Sequence, residues 1–197
     1  GESRRALALD GLAPAEVAPC PDTGSTVLAM LSGEQLQFFD IETNEILGTW
    51  RLPGAFDRIR WSRDWIVAGN PRGQVLVHHV PSGSQGLIAA HHSPIADLLF
   101  LPGTEYLFIT TTDGQTSFWD AATRTRISLS RSFLPMQVSG DGRHFLYRSH
   151  DSLGLGVLES SSIRIGISRI DDGAPGIRSL DFSDDGRWLI AGKQSGV

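Results

Sequence analysis

Short segments in which apolar and polar residues alternate recur along the chain, separated by turns rich in Gly, Asp, Ser and Pro. Tyr106-Leu-Phe-Ile-Thr110 and Trp188-Leu-Ile-Ala191 carry the two-residue period of half-buried antiparallel strands. No window sustains helical periodicity, so the pattern predicts an all-β chain. The intervening turns follow a ladder of their own: Pro21-Asp-Thr-Gly24, Ser62-Arg-Asp64, Pro102-Gly-Thr104, Ser139-Gly-Asp-Gly142 and Ser183-Asp-Asp-Gly186. Gly and Asp suit these places because tight turns need positive φ or a side chain that bonds its own backbone.

The strands and turns repeat as a unit. Gln35-Leu-Gln-Phe-Phe-Asp40, Gln74-Val-Leu-Val-His-His79, Gln115-Thr-Ser-Phe-Trp-Asp120 and Leu153-Gly-Leu-Gly-Val-Leu158 occupy one position in the grammar, and their last residues are 39, 41 and 38 residues apart. A spacing near 40 with several strands per unit is the mark of a β-propeller blade. Four-stranded antiparallel blades are therefore expected over 15–53, 56–92, 95–131 and 134–170. The outer strand of a preceding blade is expected within 1–14, and an incomplete blade over 177–197.

The third unit carries a resemblance. It opens with His91-His-Ser-Pro-Ile-Ala-Asp-Leu-Leu-Phe-Leu-Pro-Gly103 and ends Leu107-Phe-Ile-Thr-Thr-Thr-Asp-Gly-Gln-Thr-Ser-Phe-Trp-Asp120. Almost position for position it resembles a WD40 repeat, including the closing Trp-Asp pair. The resemblance implies a hydrogen-bonded tetrad of His91, Thr111, Asp113 and Trp119. In it a hydroxyl accepts the indole N–H and the carboxylate orients the imidazole. The other units depart from this pattern: Phe39, His78 and Val157 stand at the Trp position, and Gly33, Arg72 and Asp151 at the Asp position. Those units must rest on packing. A WD40 ring has about seven blades within the general propeller range. The resemblance thus implies that this chain is an open fragment of a larger ring, in a multidomain protein or complex.

Composition narrows the function classes. Hydrophobic residues are 40% and charged residues 20% of 197, ordinary for a globular protein. The net charge of −5 provides no basic field to attract nucleic acid or anionic lipid, and no apolar run approaches the ~18 residues of a membrane helix. A single cysteine, Cys20, cannot form an internal disulfide, which fits a reducing compartment and a cytoplasmic location.

Candidate chemistry is thin. His78-His79 and His91-His92 are adjacent strand residues that point to opposite faces, so neither pair chelates a metal. Asp181-Phe-Ser-Asp-Asp-Gly186 begins like a calcium loop, but Gly192 stands where a bidentate Glu is required. Gly154-Leu-Gly156 lacks the third glycine and the helix of a dinucleotide loop. The His, Thr and Asp of the tetrad read as structural rather than as a triad. Arg58 and Arg60 share one strand face and are placed to pair with Asp97 on the next unit. No cofactor is expected.

The resulting expectation is a non-catalytic scaffold that binds other proteins or peptides through rim loops. The contact residues predicted there are Asn70, Arg72, His92, Thr112, Phe133 and His150, with Arg72 and Phe133 foremost because Arg and aromatic side chains dominate interfaces. The alternative is an enzyme-associated propeller: a quinoprotein-like dehydrogenase, a lactonase or a peptidase gating domain. The stretch from Phe39 to Trp50 resembles a quinoprotein repeat, yet Ile88-Ala-Ala90 and Ile127-Ser-Leu129 replace its Trp in later units.

Overall fold

A computed structural model describes residues 14–22, 24–127, 133–149, 152–159, 162–169, 177–183, 185 and 187–193. The first sheet contains β1 (Glu16–Pro19), β2 (Val27–Ser32), β3 (Gln35–Asp40) and β4 (Glu45–Arg51), and the second β5 (Arg58–Ser62), β6 (Trp65–Gly69), β7 (Gln74–His79) and β8 (Ser84–Ala89). The third contains β9 (Ile95–Phe100), β10 (Tyr106–Thr111), β11 (Thr116–Asp120) and β12 (Thr125–Ile127). The fourth contains β13 (Leu134–Val138), β14 (His144–Ser149), β15 (Ser152–Glu159) and β16 (Ser162–Arg169). A fifth sheet pairs β17 (Ile177–Phe182) with β18 (Leu189–Lys193). Every pairing is antiparallel between consecutive strands. The described chain is all-β, a succession of blade-like meanders. Of the outer strand expected within 1–14, residues 1–13 lie outside the described residues.

Local chemistry makes these meanders. In the outer turns the last residue of the third strand caps the loop: Asp40 Oδ1 accepts the N–H of Glu42 at 2.8 Å, and Asp120 Oδ1 those of Ala122 and Thr123 at 2.8 and 3.0 Å. The turn then needs a residue with positive φ, supplied by Asn44, Gly83 and Arg124. In the inner turn of the fourth sheet Ser139 Oγ donates to Asp141 at 2.5 Å and accepts the N–H of His144 at 2.9 Å. Ser183 and Asp185 repeat this arrangement before β18.

The sheets pack face to face through alternation. Ile66, Ala68 and Leu76, with Ile59 of their own sheet, face the first sheet and meet Ala29, Leu31 and Leu36. Val67, Val75 and Val77 face the other way, onto Leu98, Leu107 and Ile109. On the far side of the third sheet Phe108 and Phe118 join Phe133, Phe145 and Tyr147. Successive residues of one strand thus serve two cores. The sequence pattern led us to expect half-buried strands, but β6 and β10 are buried along nearly their whole length. A sheet sandwiched between two others has no solvent face, which is why these strands read as nearly continuous apolar runs. The first strands lie side by side, β1 against β5, β5 against β9 and β9 against β13. Backbone approaches are closest at the turns. Gly142, with φ of 68°, leaves no room for a Cβ beside the Pro102 carbonyl of the neighbouring sheet.

Candidate interaction surface

β11 places Ser117 and Trp119 two residues apart and therefore on one face. Trp119 Nε1–H donates to Ser117 Oγ at 2.8 Å, and His91 Nε2 lies 2.7 Å from the same oxygen. Ser117 is fully buried. Its hydroxyl accepts the indole proton and is free to donate its own to a neutral imidazole. Neutrality is favoured: burial first, then the Arg126 charge, hold His91 below its ordinary value, against opposing effects of Gln115 and Asp113.

The four residues singled out from the sequence fall into two directly bonded sets, with Gln115, which bonds Asp113 and acts on His91, between them. His91 and Trp119 meet through Ser117. Thr111 Oγ1–H instead donates to Asp113 Oδ1, while Asp113 Oδ2 accepts from Ser93 Oγ at 2.8 Å and Gln115 Nε2 at 3.1 Å. These bonds, Thr111 first and Ser93 second, lower the Asp113 carboxyl. The hydroxyl expected from Thr111 comes from Ser117 because of strand register. Thr111 lies beyond the Thr110–Thr116 pair at the strand end, where its oxygen closes the turn by accepting the Gln115 N–H at 3.1 Å. The legible signal was a Ser two residues before the Trp, on its own face.

Three turns at this end of the sheets carry the predicted contact residues. Arg72, His92 and Thr112 are exposed. Asn70 and Phe133 require correction. Asn70 is only 4% exposed; its Oδ1 accepts the N–H groups of Arg72 and Gln74, both at 3.0 Å, and its Nδ2 donates to Gln74 Oε1. Its side chain is consumed in shaping the turn. Phe133, also 4% exposed, packs on Phe108, Phe145 and Tyr147, with centroids 5.2–5.7 Å away. Standing just before β13, it falls inward and anchors the fourth sheet to the third. His150 lies outside the described residues.

A second polar arrangement joins the first strands. Arg60 donates to Glu16 Oε1 on β1 at 2.7 Å and to Asp97 Oδ1 on β9 at 2.8 Å. Burial alone would depress this guanidinium, but the Glu16 bond and the Asp97 charge raise it. Glu16 Oε2 also accepts the backbone N–H of Ile59 at 2.6 Å. Arg58 turns instead to the Ala96 carbonyl at 3.0 Å. Sequence reasoning placed Arg60 with Asp97 but missed Glu16, which sits 44 residues upstream with no local signal.

The chain matches no model of a protein family, and no curated protein matches it. Its capabilities must be read from its own residues. Among the described residues no three His, Cys, Asp or Glu side chains form a group suited to a metal ion. In the set His91–Ser117–Trp119 the shared hydroxyl is sealed from solvent and holds the indole N–H.

Proposed function

We propose that this chain is part of a WD40-type propeller acting as a non-catalytic scaffold for other proteins or peptides in the cytoplasm. The observation that carries this reading is the exposure of Arg72, His92 and Thr112 on three turns at one end of rigidly packed sheets. Recognition residues concentrate on loops held by such a framework. The WD40 assignment is supported by Trp119-Asp120, whose indole is held by a buried hydroxyl beside His91 and whose carboxylate caps the following turn. The test is a charge-altered rim. The full chain and its Arg72→Glu, His92→Glu, Thr112→Arg variant are immobilised, and proteins captured from the source cells are quantified by mass spectrometry. The variant is expected to lose at least about tenfold of the specific capture, as when interface anchors are removed, with an unchanged melting temperature. Equal capture by both would overturn the rim-loop reading.

A further inference from the structure

A cleft of about 450 Å³ opens between the first three sheets, lined among others by Trp61, Arg63, Phe100, Pro102, Pro21 and Asp22. Its place follows from topology. β5 ends at Ser62 beside the cleft, whereas Arg58, at its other end, pairs with Gly69, next to the turn that holds Arg72. The cleft therefore lies at the end of the sheets opposite the Arg72, His92 and Thr112 rim.

Its chemistry is divided. The walls are mainly apolar: an indole, a phenyl ring, Leu99 and two prolines. Aromatic and proline surfaces of this kind accept extended peptides, whose side chains they strip of water while backbone groups find partners. The Trp61 ring that lines the cleft is braced from behind by Phe38, with ring centroids 5.5 Å apart, so this wall is rigid. Of the charged groups lining the cleft, Arg60 is saturated by Glu16 and Asp97. Arg63 and Asp22 are exposed, and neither has an ion-pair partner among the described residues. They are not paired with each other either. One unpaired cation and one unpaired anion thus border an aromatic surface, in a volume typical of sites that take a compact ligand.

We infer that this cleft docks a short extended peptide segment in which an apolar residue lies between an acidic residue facing Arg63 and a basic residue facing Asp22. The inference rests on the protein-binding reading above but assigns a second contact at the opposite end of the sheets. Charge complementarity selects the segment and its direction, while the aromatic wall supplies the desolvated contact.

The test uses the full chain to select from a display library of random peptides. Enriched sequences are then synthesised and titrated by fluorescence anisotropy against wild type, Arg63→Glu, Asp22→Lys and the altered-rim variant. Both cleft positions are exposed, and melting curves check each variant's fold. Enriched peptides are expected to share an acidic–apolar–basic order. Each single reversal should weaken binding about tenfold, and reversing the facing charge in the peptide should restore it. Peptides without the charge pair, or no enriched peptide, would overturn the inference. So would full binding to Arg63→Glu and Asp22→Lys. Peptides sensitive only to the altered rim would also overturn it, while leaving the rim-loop proposal intact.

Discussion

Replacing Ser117 by Ala is the sharpest perturbation of the third sheet. The residue is fully buried, and its oxygen serves both the indole N–H of Trp119 and Nε2 of His91. Removing it deletes little volume but leaves two polar groups without a partner. Orphaning a buried donor or acceptor costs about 1–3 kcal/mol. Trp119 and His91 are only half-buried, so water recovers part of that, and about 2–3 kcal/mol is the expected loss. For a chain of this size that corresponds to a fall of roughly 5–10 °C in Tm. Thr111→Val removes a hydroxyl that serves the exposed Asp113 carboxylate, which can turn to solvent, and the backbone of Gln115 in an exposed turn; it should cost only about 1 kcal/mol. Urea denaturation of both variants, with m-values to confirm an unchanged transition, gives the comparison. A double-mutant cycle of Ser117→Ala with Trp119→Phe should show about 1 kcal/mol of coupling. If Thr111→Val proves the costlier change, or Ser117→Ala is neutral, the assignment of the hydroxyl to Ser117 is wrong.

Three further outcomes are expected. Phe133→Ala should destabilise by about 3–4 kcal/mol in calorimetry, since it opens a cavity among Phe108, Phe145 and Tyr147; a surface contact residue would cost far less. Gly142→Ala combines a positive φ with a clash against the Pro102 carbonyl and should cost about 2–4 kcal/mol, whereas Gly83→Ala, with the same sign of φ but open space around it, should cost about 1 kcal/mol in the same denaturation assay. Burial, then the neighbouring His79 charge, holds His78 below the ordinary value of 6.5, as burial does His91, so both resist protonation more in the folded than in the unfolded chain. Their contribution is present above 6.5 and is lost as the pH falls through the depressed folded values. Urea midpoints should therefore decline from about pH 7 to about pH 5, and less steeply in His78→Phe.

What was legible in the sequence was whatever the chain writes locally. Antiparallel meanders join neighbours in sequence, so strand periodicity and turn residues such as Asp40, Asp120 and Ser139 disclose them directly. Relations between sheets are another matter. Arg60 meets residues 44 and 37 positions away, and nothing near Glu16 marks it as a partner. Phe133 reads as a loop aromatic until the fourth sheet is laid against the third. Ser117 was overlooked because resemblance pointed to the hydroxyl at the strand end, whereas register makes the Ser on the indole's own strand the reachable one. Asn70 has a polar loop identity that suits a contact residue equally well as a turn-former, and only its burial separates the two.

The division of the interior into separate clusters between consecutive sheets has a mechanical consequence. Among the described residues no buried side chain is common to the cluster containing Ile59 and the one containing Phe145; the third cluster lies between them. Such a molecule behaves as a one-dimensional stack in which each unit senses its nearest neighbours. Damage at Phe145 should loosen the fourth sheet first and leave amide protection in β2 and β3 largely intact. Damage at Val67 should cut the stack in its middle and be felt on both sides.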